Sequence, residues 1–105
     1  MAGFDRGSLS LAESGALALA DAASALDRAD DPTTFLRALE HNRRVWQTIR
    51  EVADRHQWLV PRREQSDYAL TTAGKMGKGV NDDHVLALID IGRRVSAELA
   101  PGGDL

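Results

Sequence analysis

Apolar residues recur at steps of three and four along most of this chain, which is the spacing of one face of an α-helix. The first such stripe predicts a helix that ends at the Asp30-Asp31-Pro32 segment. It consists of small and aliphatic residues: Leu11, Gly15, Ala18, Leu19, Ala22, Ala25, Leu26 and Ala29. Because small side chains make up much of this stripe, we expect a neighbouring helix to approach the first one closely.

A second helix is predicted from about Pro32 to His56, since proline suits the first helical position and Asp31 can cap the free amides. Its apolar face contains Phe35, Leu39, Val45, Ile49 and Val52. Asn42 and Trp46 are four residues apart and share one side of the helix. Asn42 is the one amide on that side and requires a hydrogen-bond partner, whereas Trp46 is expected to anchor the core.

The second half of the chain predicts two more helices. The third runs from Pro61 through Met76 with Gly79 as its C-cap, and its glycines lower the helix propensity by up to about 1 kcal/mol each. Asn81 caps the fourth helix, and Pro101 ends it. The predicted buried face of this helix comprises Val85, Leu88, Ile89, Gly92, Val95 and Leu99.

The predicted architecture is all-α, a small bundle of about four helices joined by short connections. A chain of 105 residues can form one core, but it buries a modest share of its surface. We divide it into a mobile N-terminal arm at residues 1–8, a single helical domain at residues 9–100 and a C-terminal tail at residues 101–105. A domain of this size gains appreciable stability from a bound partner.

The charge balance and the absence of cysteine narrow the function classes. With 13 basic and 16 acidic residues the net charge is −3, which opposes binding to DNA or to an anionic membrane. A chain without cysteine has no disulfide framework and fits a reducing compartment. Charges at Asp5, Arg6 and Glu13 disfavour a secretory signal, and no window of about 20 apolar residues could span a membrane. The cytoplasm is the expected location.

Motifs for catalysis, phosphate binding or metal binding are weak in this sequence. The Gly74-Lys75-Met76-Gly77-Lys78-Gly79 segment is similar to a phosphate-binding loop, but Val80 follows where that loop requires Lys and then Ser or Thr. A glycine-capped helix end is the favoured interpretation. The three histidines, His41, His56 and His84, lack the spacing of a metal site. With no nucleophile beside a base, we expect no metal, no cofactor and no enzymatic activity.

Several large side chains outside the main stripes are candidates for interaction. Trp58 follows the second helix, where it either closes the core beneath the loop or projects toward a partner, and Leu59 lies beside it. Leu17, Leu86 and Ile91 either pack on a second neighbour in the bundle or form an exposed apolar patch. The candidate structural and interaction residues are therefore Asn42, Trp46, Trp58, Leu59, Leu86 and Ile91.

Three segments stand out by their order and spacing: Leu39-Glu40-His41-Asn42-Arg43-Arg44-Val45-Trp46, then Leu59-Val60-Pro61, then Leu86-Ala87-Leu88-Ile89-Asp90-Ile91. Together they resemble the FlaF family of bacterial flagellar biosynthesis proteins. The resemblance implies a small, helical, cytoplasmic protein that acts in flagellin synthesis and export. It implies either a flagellin-binding secretion chaperone or a regulator that acts beside the FlbT protein, and it implies no catalytic residues.

The leading hypothesis is a non-enzymatic adaptor that offers an apolar groove or helix face to an amphipathic helical segment of flagellin. Asn42 would orient a helix or loop, with Trp46 anchoring the core beneath it. The alternative is a post-transcriptional regulator that contacts flagellin messenger RNA through a concentration of basic residues, although no aromatic stacking platform accompanies them. The basic residues concerned are Arg43, Arg44, Arg50, Arg55, Arg62 and Arg63.

Overall fold

The computed structural model describes residues 10–75 and 78–100. This part of the chain forms four helices: α1 (Leu11–Arg28), α2 (Pro32–His56), α3 (Arg63–Gly74) and α4 (Asp82–Leu99). Those residues contain no strand, so the predicted all-α class with four helices is confirmed. The predicted N-terminal arm at residues 1–8 and the tail at residues 101–105 lie outside the described residues, as does Met76, the predicted end of the third helix.

Helices α2 and α4 begin at the side-chain caps that the sequence predicts. Asp31 accepts a hydrogen bond from the backbone N–H of Thr34 at 2.8 Å, which satisfies a free amide in the first turn of α2. Asn81 accepts one from the backbone N–H of His84 at 2.9 Å and does the same for α4. Because each cap is followed by a continuous apolar stripe, the predicted extents of both helices agree with the structure.

The predicted start of the third helix at Pro61 is wrong. Arg62 is extended, and its backbone N–H donates to Oε1 of Gln65 at 2.8 Å. This side-chain contact caps the helix one residue after the proline, so α3 begins at Arg63. Pro61 lies in the preceding loop, where it is buried and follows a cis peptide bond.

The end of α3 also differs from the predicted C-cap at Gly79. The helix ends at Gly74, and Lys75 is its C-cap. Ala73 is the last residue of α3 that is buried, so core packing supports the helix only up to that point, and glycine then lowers its propensity. Gly79 lies in the turn before α4 with a φ of 70°, a conformation that favours glycine.

Helix α1 packs against both α4 and α2, and small residues allow the close approach that its stripe predicts. A Cβ atom added to Gly92 of α4 would lie 3.4 Å from the Cβ of Ala23, so the two helices are nearly in backbone contact there. Nearer the start of α1, the Ser96 hydroxyl donates to the backbone O of Ala16 at 2.6 Å. These two pairings show that α1 and α4 run antiparallel.

The core lies among the four helices, with Ala69 and Ala73 of α3 buried in it, and α3 packs mainly on α2. Two ion pairs at the surface also join α3 to α2: Arg50 lies 2.8 Å from Asp67, and Asp54 lies 3.6 Å from Arg63. The largest fully buried side chains are Trp46, Leu19, Leu39, Leu88, Val95 and Asn42. Within the described ranges, none of the helices combines the length and apolar character needed to cross a membrane.

Candidate functional site

An apolar groove runs between α1 and α2 on the surface of the protein, and we call it the α1–α2 groove. Its volume is about 310 Å³. It is lined by Leu11, Ser14, Gly15 and Ala18 of α1, by His41, Arg44, Val45, Thr48, Ile49 and Val52 of α2, and by Trp58. Most of these side chains are apolar or small, so the groove suits apolar side chains of another molecule.

The α1 wall of the groove depends on where that helix begins. Ser10 and Glu13 cap each other, since the backbone N–H of each donates to the side chain of the other at 2.9 and 3.0 Å. This capping box holds Leu11 at the edge of the groove, where it is 49% exposed. One turn further, a Cβ atom on Gly15 would lie 2.8 Å from Cδ1 of Ile49, so glycine brings α1 close to α2.

Trp58 closes one end of the groove. The chain turns after α2, where Gln57 adopts a left-handed conformation with a φ of 56°. The backbone N–H of Trp58 then donates to the carbonyl of Ala53 at 2.9 Å, and its ring stacks on His56 with centroids 6.2 Å apart. The indole packs against the core and also lines the groove. Closure of the core, one of the two roles that the sequence leaves open, is thus observed, and contact with a partner stays a prediction.

The polar edge of the groove is bordered by ion pairs. His41 and Arg44 are its ionisable residues, and none of the described lining residues carries a carboxylate. Glu40 accepts hydrogen bonds from Arg43 at 2.7 Å and from Arg44 at 2.9 Å, and these bonds lower the pKa of Glu40 to about 2. Asp21 of α1 lies 3.8 Å from His41, so two carboxylates and two guanidinium groups border this edge of the groove.

Asn42 and Trp46 lie in the interior of the protein and not on its surface. Asn42 is buried, and its Nδ2 donates to the backbone O of Ala22 at 3.0 Å and to that of Ala38 at 2.8 Å. The first bond joins α2 to α1 and supplies the partner that the amide requires. Trp46 is 0% exposed, and its Nε1 has no hydrogen-bond partner among the described residues. Both residues contribute to the fold and do not reach the groove.

The other predicted interaction residues lie at separate places. Leu59 is exposed beside Trp58 and borders a second, more polar cleft. Leu86 is exposed near the start of α4, in a depression that also includes the end of α1. Ile91 is partly buried and packs against the core. The structure thus brings Trp58 and Leu59 together, whereas Leu86 lies near the end of α1 that is opposite the groove.

Most arginines of the predicted RNA-binding alternative contact acidic side chains. Arg50 and Arg63 form ion pairs with Asp67 and Asp54 across the α2–α3 interface. With the two arginines that share Glu40, four of the six predicted arginines lie within 4.0 Å of a carboxylate. These pairs reduce the positive potential that a phosphate backbone requires for binding.

Among the residues of the groove, the sequence points to Trp58 as an interaction candidate and to Arg44 as one of the basic residues of the RNA-binding alternative. Leu11 belongs to the predicted stripe of α1, but it lies at the edge of the groove and not in the core. The signal that marks the groove is the spacing of Val45, Thr48 and Val52, which forms a second face of α2 beside the buried one. Two helices must be packed together before their shared edge can be identified.

Within the described residues, no group of three or more His, Cys, Asp or Glu side chains is arranged to hold a metal ion. The glycine-rich segment at residues 74–79 falls partly outside the described residues, at positions 76 and 77. Comparison of the chain with protein-family models, with curated proteins and with solved structures finds no match, so the family resemblance remains an expectation from the sequence.

Proposed function

We propose that this protein is a non-enzymatic adaptor of flagellar biosynthesis that binds flagellin in the cytoplasm and supports its synthesis and export as a secretion chaperone. The observation that carries the proposal is the α1–α2 groove, which leaves apolar surface of Leu11 and Trp58 open at the edge of the core. The resemblance of the residue 39–46 segment to the FlaF family supports flagellin as the partner and the FlbT protein as a second one.

An apolar groove suits the task of a chaperone. A polypeptide that awaits export exposes apolar segments, which would otherwise associate with one another. A groove of about 310 Å³ has room for a few large side chains and would shield them from water. Binding of this kind depends on shape and apolar area, and it requires no reacting group.

Regulation of flagellin messenger RNA is the alternative function, and the basic residues after and along α2 support it. Two observations favour the adaptor. Four of the six arginines contact carboxylates, and the chain carries a net charge of −3. Single-stranded RNA is also recognised by stacking of several bases on aromatic side chains, and Trp58 offers one such surface.

Size-exclusion chromatography at two salt concentrations tests the proposal. Purified protein mixed with flagellin monomer should elute as a stoichiometric complex at low and at moderate salt, because apolar contacts are not screened by ions. A complex with RNA should weaken steeply over the same range, because it depends on release of counterions. Arg55→Glu is the matched variant, since Arg55 is exposed and lies outside the groove: it should leave the flagellin complex intact and weaken an RNA complex.

Separate elution of the two proteins at both salt concentrations would contradict the adaptor. If the protein then shifts flagellin messenger RNA in a gel at low salt, and Arg55→Glu reduces that shift, the data favour the RNA-binding regulator over the adaptor.

A further inference from the structure

We infer that α3 is a lid: it opens from α2 as one unit while α1, α2 and α4 stay packed together. Opening uncovers the side of α2 that carries Trp46 and Ala53, which the closed protein buries. No partner takes part in this motion, so it is independent of the proposed function.

Helix α3 buries only small side chains. Its buried residues are Ser66, Ala69, Thr72 and Ala73. The larger apolar side chain of α3, Leu70, is only partly buried. Each of the other helices buries large apolar side chains, among them Leu19 of α1, Trp46 of α2 and Leu88 of α4. Because hydrophobic stabilisation is roughly proportional to the apolar area removed from water, α3 is held to the core less strongly than its neighbours are.

The polar contacts of α3 with α2 are also weak. Two ion pairs join the helices, Arg50 with Asp67 and Arg63 with Asp54, and three of these four side chains are more than half exposed. Exposed ion pairs add little to stability, because water and salt screen them. By contrast, α2 is joined to α1 by a buried hydrogen bond from Asn42. The contacts of α3 can therefore break while those between α1 and α2 remain.

The length of α3 and its place in the chain allow it to open as a unit. It is the shortest of the four helices, with 12 residues. A helix of this length is marginal in water without tertiary contacts. Residues 57–62 and 75–81 connect it to α2 and α4, so α3 can leave the core without breaking either neighbouring helix. A helix with few large buried side chains is the kind of segment that opens below the free energy of global unfolding.

The side of α2 beneath α3 carries Trp46. On a helix, Trp46, Arg50 and Ala53 lie one turn apart on the same side. Arg50 meets Asp67 of α3, so this is the side on which α3 packs. Trp46 also belongs to the same core cluster as Ala69 of α3. Opening of α3 therefore gives water access to the indole of Trp46.

The indole N–H of Trp46 favours the open state. It is buried and has no hydrogen-bond partner among the described residues. A buried donor without a partner destabilises the closed state, because its hydrogen bond to water has been lost and not replaced. Water can accept this hydrogen bond once α3 opens, so opening recovers part of its own cost.

Hydrogen exchange of the full-length protein, followed amide by amide by NMR, tests whether α3 opens by itself. Interior amides of α3 should be protected roughly tenfold less, or weaker still, than the slowest amides of α1, α2 and α4. Thr71 of α3 and Thr48 of α2 form a matched pair, since both are exposed and lie inside their helices. Alanine at either position raises the helix propensity.

The two variants should differ in their effect on α3. Thr71→Ala stabilises the closed state relative to every open one, so it should slow exchange about threefold in α3 and in the slowest amides elsewhere. Thr48→Ala stabilises the closed protein and the protein with α3 open equally, because α2 is folded in both. It should slow only the slowest amides of α1, α2 and α4, again about threefold. If Thr48→Ala slows α3 by the same factor, α3 opens only in global unfolding and the inference is wrong.

The indole N–H of Trp46 reports what the opening uncovers, and the same spectra resolve it. Its exchange should follow that of the α3 amides, slowed about threefold by Thr71→Ala and unchanged by Thr48→Ala. The indole N–H of the partly exposed Trp58 is the control and should exchange faster than that of Trp46 in all three proteins. If both variants slow the Trp46 N–H equally, the open state leaves this side of α2 covered, which would overturn the inference.

Discussion

The two faces of α2 carry opposite chemistry. The face that points into the core holds the amide of Asn42 and the indole N–H of Trp46, which has no partner among the described residues. The neighbouring face, at the surface, holds Val45 and Val52 in the α1–α2 groove. A buried polar group and an exposed apolar surface are the informative exceptions in a folded protein. Here the first joins α2 to α1, and the second forms the groove on which the proposed function rests.

The segment at residues 39–46 is divided between these two faces. Asn42 and Trp46 are buried, whereas Arg43 and Arg44 meet Glu40 at the surface. Substitutions on the buried face should therefore change the stability of the protein, and substitutions on the surface face should change what it binds. Measurements on matched pairs of residues test that division.

The largest expected effect is that of Trp46→Ala. Removal of a fully buried indole should lower the free energy of unfolding by about 3–5 kcal/mol, measured from the midpoint of urea denaturation. Trp46→Phe should cost clearly less, because it also removes an N–H that has no partner among the described residues. Trp58→Ala is the control, and its partly exposed side chain should cost less than about 2 kcal/mol. Equal losses for both tryptophans would contradict the division.

Asn42→Asp should follow, with a loss of about 3 kcal/mol at neutral pH. The change places a carboxylate where the amide now donates to the carbonyls of Ala22 and Ala38, so a buried charge would face two acceptors. Asn42→Ala loses only the hydrogen bonds and should cost about 1–2 kcal/mol. Burial raises the pKa of the introduced carboxyl above about 3.9, so Asn42→Asp should be most stable below that pH and lose stability as pH rises. A loss that does not depend on pH would show that the site admits water.

The sequence predicts the fold best where a cap and a periodic stripe coincide. Asp31 and Asn81 cap α2 and α4, and both helices have the predicted extents. The start of α3 could not be predicted in the same way. The preference of proline for the first helical position predicts a start at Pro61, whereas the helix begins after Arg62, whose backbone N–H donates to the side chain of Gln65. Its end depends on tertiary packing, since burial stops at Ala73.

The candidate site could be predicted only in part. That Asn42 needs a partner follows from its place on an apolar face, but the partner, the carbonyl of Ala22, lies 20 residues away. The groove depends on the close approach of α1 and α2 at Gly15, and local periodicity does not specify which helices pack together. Leu59 and Leu86 are exposed and lie outside the groove, and their role in interaction stays a prediction.

Substitutions in the groove should barely change stability. Leu11→Ser and Leu17→Ser alter side chains that are 49% and 59% exposed, so each should change the free energy of unfolding by less than about 1 kcal/mol. Only Leu11→Ser should weaken the complex with flagellin, measured by calorimetric titration. Equal weakening by both variants would extend the binding surface beyond the groove, to the face of α1 that lies beside α4.

The smallest expected effect is that of Glu40→Gln, and it depends on pH. Hydrogen bonds from Arg43 and Arg44 lower the pKa of Glu40 to about 2 in the folded protein, whereas a glutamate in an unfolded chain titrates near about 4.3. A lowered folded-state pKa stabilises the protein fully above the unfolded value, and the stabilisation is lost as pH falls through the folded value. The wild-type protein should therefore be more stable than Glu40→Gln at pH 7, and the difference should shrink between about pH 4.3 and about pH 2.

This ion cluster is at the surface, so the difference in stability should also shrink at high salt, where exposed pairs are screened. Urea denaturation of both variants across that pH range, at low and high salt, measures it. A difference that persists unchanged below pH 2 would mean that Glu40 acts through packing and not through its charge, and the charged edge of the groove would then rest on Arg44 alone.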